Sequence, residues 1–298
     1  MDKCILVDGL NLMFRCFYGI PFLSNQNFPT NAVFGAIKIL WKMIAVEKPT
    51  HIAIFFDKGR DPLRQTLLPK YKANRLEMPD PLKIQIPVVK EFAYALGCTV
   101  IERSSVEADD LIASFAQKYR DQFQEILIFS ADKDFAQCVD GKVHQIIPAK
   151  DKDSVGNRLD RQGIYEKFGV YPEQIIDYLA LIGDQADNIP GIYGVGPKTA
   201  TTWLGQFGNI ETILSQITAI RPVRFQSILG ENVALLRRNQ QLVTLNCGID
   251  DIYCEPLQPN EQQYAQLIDF YGLTSLRHSP FPLPALQGDW FSDWEGKV

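Results

Sequence analysis

His51-Ile52-Ala53-Ile54-Phe55-Phe56-Asp57 is an apolar run that stops at a carboxylate. It is short, rich in β-branched and aromatic residues, and lacks helical periodicity. It reads as a strand buried on both faces, the kind found in parallel sheets covered by helices. Upstream, Lys3-Cys4-Ile5-Leu6-Val7 runs into Asp8-Gly9 in the same way. Downstream, Glu125-Ile126-Leu127-Ile128-Phe129-Ser130 is followed by Ala131-Asp132-Lys133-Asp134, where Asp132 and Asp134 point the same way if the backbone is extended. Residues 31–46 supply an amphipathic helix, apolar at Val33, Phe34, Ile37, Leu40, Trp41, Ile44 and Ala45. Strands of one build, each with acids at its C-terminal end, predict an α/β core with a mostly parallel central sheet. Those ends share one edge, which is where open α/β sheets bind ligands.

The connecting stretches add charge. Arg60, Arg64, Lys70, Lys72 and Arg75 face a single acid, Asp61, and Tyr71 is interleaved with them. Such a segment suits backbone contact and stacking on single-stranded nucleic acid. Arg15, set in the apolar stretch 11–17, reads as a phosphate clamp or a surface helix charge. Residues 84–96 read as a helix stopped by Gly97, 98–101 and 142–147 as strands, and 151–157 as a polar loop. Ser104-Ser105-Val106-Glu107 has capping-box spacing, which predicts a helix from there to about Tyr119. Its start carries Glu107, Asp109 and Asp110; Glu107 and Asp110 share a face and Asp109 is out of phase.

Two chemistries adjoin further along. In Gly183-Asp184-Gln185-Ala186-Asp187, the acids at i and i+3 share a face if the segment is helical, and hard oxygen ligands suit Mg²⁺ or Mn²⁺. Gly194-Val195-Gly196-Pro197-Lys198-Thr199 is a Gly-x-Gly turn with proline at a helix start, a backbone anion site fit for a DNA phosphate. A helix over 172–182 leads into this motif, residues 196–238 are mildly basic, and 263–271 read as a helix.

The net charge of −5 gives no global basic field, but a carboxylate-built metal site makes a chain acidic while its cations neutralise it locally. Asp8, Asp57, Glu107, Asp109, Asp110, Asp132, Asp134, Asp184 and Asp187 would repel one another in one pocket without divalent metals. Two such ions about 4 Å apart clamp the attacking and leaving oxygens of a phosphodiester displacement. The three histidines are isolated and no Cys-x-x-Cys occurs, which argues against a zinc site and for reduced cysteines. The apolar start, Cys4 to Val7, is too short for a signal peptide or a membrane helix, so a cytoplasmic protein without membrane contact is expected.

Asp8-Gly9 with Arg15, Tyr71-Lys72-Ala73-Asn74-Arg75, Glu107-Ala108-Asp109-Asp110, Asp132-Lys133-Asp134 and the run from Gly183 to Ala200 resemble the 5′-nuclease (flap endonuclease) family. Within it they resemble the 5′→3′ exonuclease domain at the N-terminus of bacterial DNA polymerase I. The resemblance spans about residues 3–276. It implies a PIN-like nuclease core over 1–170 with a helical arch, then a mainly helical DNA-binding region over 171–278 with a helix–three-turn–helix; 279–298 is a tail. It implies that the nine acids bind two or three Mg²⁺ or Mn²⁺ ions and that Lys72 and Arg75 reach the scissile phosphate. Arg15, Arg64, Tyr71, Gly194, Gly196, Lys198 and Thr199 would contact DNA, with K⁺ at the helix–three-turn–helix. The expected partners are DNA with 5′ flaps or 5′ ends at junctions and replication or repair proteins, and the expected state is a monomer. Ser105-Val106 stands where family members place Gly-Tyr. Gln266-Leu267-Ile268-Asp269-Phe270 superficially resembles a sliding-clamp peptide and equally suits a core helix. The competing readings are a PIN-type ribonuclease, opposed by segment 60–75 and the glycine turn, and a catalytically silent DNA-binding module, opposed by the full acid set.

Overall fold

The computed structural model describes residues 2–149 and 155–277. The first half runs β1 (Lys3–Asp8), α1 (Gly9–Gly19), a small hairpin of β2 (Ser24–Asn25) and β3 (Phe28–Pro29), α2 (Asn31–Glu47), β4 (His51–Lys58), α3 (Pro62–Leu67), α4 (Asp80–Lys83), α5 (Gln85–Ala95), β5 (Thr99–Ser104), α6 (Ala108–Tyr119), β6 (Glu125–Phe129), β7 (Val143–Pro148), β8 (Gly156–Leu159) and α7 (Arg161–Phe168). One six-stranded sheet has the order β5-β4-β1-β6-β7-β8, parallel except for β8 at its edge. The strand order reverses between β1 and β6, and that switch point is where a doubly wound sheet opens a crevice beyond its strand ends.

The alternation of side chains sorts the apolar strands onto two faces. Ile5, Val7, Ile52, Ile54, Phe56, Leu127 and Phe129 pack with α1, α2 and α5. Cys4, Leu6, Ala53, Phe55, Ile126 and Ile128 pack with Leu111, Ile112 and Phe115 of α6. Every one of these strand residues is essentially inaccessible, which is why the strands read as continuous apolar runs.

The second half runs α8 (Ile175–Ile182), a hairpin of β9 (Gly183–Asp184) and β10 (Ile189–Pro190), α9 (Pro197–Phe207), α10 (Ile210–Ser215), α11 (Arg224–Glu231), α12 (Val233–Val243) and α13 (Glu261–Phe270). Leu179, Leu181, Trp203, Leu204, Leu236 and Leu242 build a separate core. Tyr71, Ala136 and Val139 join it from the first half, so the two cores meet under the acidic edge.

Four sequence expectations change. The helix after Ser104 begins at Ala108, because β5 extends to Ser104 and Ser105 turns with φ +61°. Residues 156–157 open β8 rather than continuing a loop. The arch is short: two helices of six and four residues, α3 and α4, flank turns at 69–75. Residues 244–277 do not extend the helical unit; they return to the α/β core. Leu245 and Ile252 join the α6 face, Tyr264 and Ile268 join the α5 face, and the Leu257 amide donates to Thr50 O (2.9 Å). The clamp-like segment lies in α13, where Ile268 is buried and Phe270 is exposed. The tail 279–298 lies outside the described residues. Among those described, no helix is long and apolar enough to cross a membrane and all six cysteines are free thiols.

Candidate active site

Asp8 ends β1 and caps α1, accepting the Asn11 amide at 2.9 Å and the Ser130 hydroxyl at 3.0 Å. Asp57, near the end of the neighbouring β4, accepts the Ala108 amide at 2.7 Å and so caps α6 from another strand. Asp132 follows β6 and caps a short 3₁₀ turn (Lys133–Cys138) through the Asp134 amide at 3.0 Å. Asp8 and Asp132 thus do local capping work that residue type and position predict, Asp57 does it across the sheet, and the sheet brings all three to one edge.

Asp184 and Asp187 arrive differently. They lie on the β9–β10 hairpin, not on a helix, and Asp184 turns the chain by accepting the Ala186 amide at 2.9 Å. Gly183 is obligatory there: φ is +77°, and a Cβ would stand 2.3 Å from Gly191 N and 2.5 Å from Ile189 O. The hairpin is fastened to the arch turn by Lys72 N to Asp187 O (3.0 Å), Asn74 Nδ2 to Gln185 O (2.6 Å) and Asn188 Nδ2 to Lys70 O (2.8 Å). Oxygens of Asp134, Asp184 and Asp187 then lie within 4.8 Å of one another.

Burial and mutual repulsion dominate the electrostatics. Burial, then the charges of Asp57 and Asp132, lift Asp8 to about 7. Burial and the Asp132 charge push Asp109 well above the usual carboxylate range, and burial with Asp132 and Asp184 does the same to Asp134. Asp57 and Asp132 are raised mainly by burial. Asp134 Oδ1 is buried without a hydrogen-bond partner. Raised carboxylates, converging oxygens and an orphaned acceptor fit a hard divalent cation. Asp109, out of phase by sequence, therefore belongs to the same field as Asp8, Asp57 and Asp132.

Three cations lean on this edge. Lys72 Nζ lies 2.8 Å from Glu107 and 3.8 Å from Asp187, Arg75 Nη2 lies 2.6 Å from Asp187, and Lys133 Nζ lies 2.9 Å from Asp184. Lys72 and Arg75 converge through a turn, not a helix, since Lys72 has φ +53°.

Several expected roles change. Arg64 is buried, forked onto Asp110 at 2.6 and 2.8 Å, and so is not available to DNA. Asp110 accepts from Arg64 through both oxygens and from the Asn246 amide through one (2.8 Å), so its carboxylate is already engaged within the protein. Tyr71 is buried with its hydroxyl 3.1 Å from Glu107 and 3.2 Å from Asp187, so no base stacks on it. Thr199 donates its amide to Gly196 O at 3.1 Å in the first turn of α9 and is half-buried. Gly194 has φ +78°, Gly196 has open space around it, and Lys198 is exposed. Arg15 is half-buried on α1 without a salt bridge among the described residues. Sequence reasoning missed Lys133, although it stands between two of the candidate acids, and Gln145. The latter is a buried residue of β7 that donates to Ser130 O (3.0 Å) and Asp132 O (2.5 Å); nothing in an apolar strand marks it.

Residues 3–169 match the family described as 5′-3′ exonuclease, N-terminal resolvase-like domain, and residues 170–265 match 5′-3′ exonuclease, C-terminal SAM fold. The chain belongs to the 5′-3′ exonuclease family. A 5′-3′ exonuclease of Aquifex aeolicus is 40% identical over 215 residues, 72% of this chain and 73% of that protein. DNA polymerase I of Caldicellulosiruptor bescii is 34% identical over 271 residues, 90% of this chain, which spans 32% of that relative. A flap endonuclease of bacteriophage T5, solved with DNA and metal ions, shares the fold at TM-score 0.67 and 23% identity over 91% of this chain and 99% of that one.

Proposed function

We propose that this chain is a structure-specific 5′ nuclease, both 5′→3′ exonuclease and flap endonuclease, that hydrolyses DNA phosphodiesters near single-strand/double-strand junctions with Mg²⁺ or Mn²⁺. The observation that carries this is the meeting of Asp134, Asp184 and Asp187 within 4.8 Å beside the sheet-edge acids. These three would hold one ion; Asp8, Asp57, Asp109 and Asp132 would serve a second. A divalent ion there supplies Lewis-acid polarisation of the phosphodiester and a lowered pKa for attacking water. The chain's own part is to orient and neutralise. Lys72 and Arg75 exchange Glu107 and Asp187 for the scissile phosphate, Arg75 as a fork and Lys72 as a point charge. Lys133 holds Asp184 in place through their 2.9 Å ion pair. The turn at Gly194–Gly196 with Lys198 grips the duplex backbone, with K⁺ as its counter-ion. Replication and repair proteins as partners belong to the same reading.

The test is a 5′-labelled flap duplex incubated with Mg²⁺, Mn²⁺, Ca²⁺ or chelator. Release of 5′ nucleotides and short flaps in Mg²⁺ or Mn²⁺, and none in chelator, is expected. Absence of divalent-dependent cleavage overturns the proposal; preferential cleavage of single-stranded RNA moves the protein to the ribonuclease class.

A further inference from the structure

Arg64 uses every N–H donor of its guanidinium inside the protein. Nε donates to Leu242 O (3.1 Å), Nη1 to Glu107 (3.0 Å) and Asp110 (2.6 Å), and Nη2 to Asp110 (2.8 Å) and Thr244 O (3.0 Å). The carbonyls close the C-terminal end of α12, where a helix leaves acceptors unpaired and favours a cation. The carboxylates open α6. One turn before that end of α12, Asn239 Nδ2 donates to Pro190 O of the hairpin (2.7 Å) and to Ala180 O of α8 (3.0 Å). The Glu107 oxygen that Arg64 contacts also accepts from Lys72 Nζ (2.8 Å) and the Tyr71 hydroxyl (3.1 Å).

We propose that Arg64 is a positioning residue that makes assembly of the acidic centre depend on where α12 sits. It fixes Asp110 and Glu107, and through Glu107 the Lys72 ammonium, against the helix whose Asn239 holds the 183–190 hairpin at Pro190. Asp110 acts in this unit as the seat of the guanidinium rather than as a metal ligand. A lysine keeps the charge but has no planar fork, so it cannot hold two carboxylates and two carbonyls together. The link to catalysis rests on the nuclease reading; the link to the metal site does not.

The experiment compares wild type, Arg64→Lys, Asp110→Asn and the double variant. Mn²⁺ binding is titrated calorimetrically on DNA-free protein, single-turnover flap cleavage is measured at saturating enzyme, and thermal unfolding checks the folded fraction. Arg64→Lys is expected to stay folded, to weaken Mn²⁺ binding about 10–100-fold and to slow the single-turnover step by a similar factor, the scale of losing a group that orients metal ligands. Asp110→Asn should match it, and the double variant should be no worse than the weaker single, as for residues acting as one unit. Should Arg64→Lys fail to fold, Asp110→Asn carries the same reading. Wild-type Mn²⁺ affinity and rate in a folded single variant, whatever its melting temperature, overturn the proposal, as do additive losses in the double variant. A wild type that binds Mn²⁺ but cleaves no DNA sinks the nuclease reading alone and leaves the Mn²⁺ arm to judge Arg64.

Discussion

Asp8 and Asp57 on one side, and Asp184 and Asp187 on the other, line the same acidic edge but are held by different physics. The first pair is carried by neighbouring parallel strands whose register sets Asp8 opposite Phe55. Each acid is also locked by the helix that it caps. The second pair rides on a two-by-two-residue hairpin that depends on Gly183, on the arch turn and on Asn239 of α12. A sheet edge holds one half-site within the core of the fold; a hairpin clamped by three neighbours holds the other.

The largest break in the comparison is Asp187→Asn. It removes the anion that Arg75, Lys72 and the hairpin share, and single-turnover cleavage in Mg²⁺ should fall on the order of 10³-fold. DNA affinity measured in Ca²⁺ should change far less. Full cleavage by this variant would remove Asp187 from the centre.

Lys72→Ala and Arg75→Ala should each lower the single-turnover rate on the order of 10²–10³-fold, comparable to losing one preorganised donor. A near-wild-type rate with weakened, salt-sensitive binding would reduce them to electrostatic attraction.

Gly183→Ala tests whether the hairpin half-site can be lost alone. The Cβ clash at 2.3 Å and φ +77° should displace the hairpin at a cost of about 1–3 kcal/mol. Activity should fall at least tenfold while the amides of β1, β4 and β6 keep their protection in hydrogen exchange. Loss of protection there would show that the two half-sites form one cooperative unit.

The sheet-edge half should answer to pH. Asp8 is raised from 3.8 to about 7, so between those values the folded state binds more protons than the unfolded one. Stability of the metal-free protein therefore falls as pH rises through that window. Melting in chelator should be higher at pH 5 than at pH 8, and Mg²⁺ should raise it more at pH 8. A flat metal-free profile would show that Asp8 is already ionised.

The smallest expected effect lies farthest from the acids. Lys198→Ala should weaken duplex binding at all sequences and reduce the salt slope by about one unit. An unchanged slope would take Lys198 out of the interface.

The sequence by itself determined the strands, the two-sided burial that makes the sheet parallel, and the acids at the strand ends. These are local quantities: a continuous apolar run and a capping carboxylate follow from the residues at hand. The family motifs likewise named the acids. Only the tertiary structure decided which groups share a pocket. Asp184 and Asp187 sit at a spacing that suits a helix, yet Gly183 and the arch turn make a hairpin of them. Arg64, Tyr71 and Asp110 look like site or surface groups in sequence. Arg64 and Asp110 are buried because α12, α3 and α6, distant along the chain, close around one guanidinium, and Tyr71 because it packs into the helical core. Residues 244–277 follow a helical unit in sequence yet belong to the first core, since the apolar face of α13 is covered by α5. A charge's role depends on what it is desolvated against, and that partner stands 43 to 180 residues away for Arg64. No window of sequence contains it.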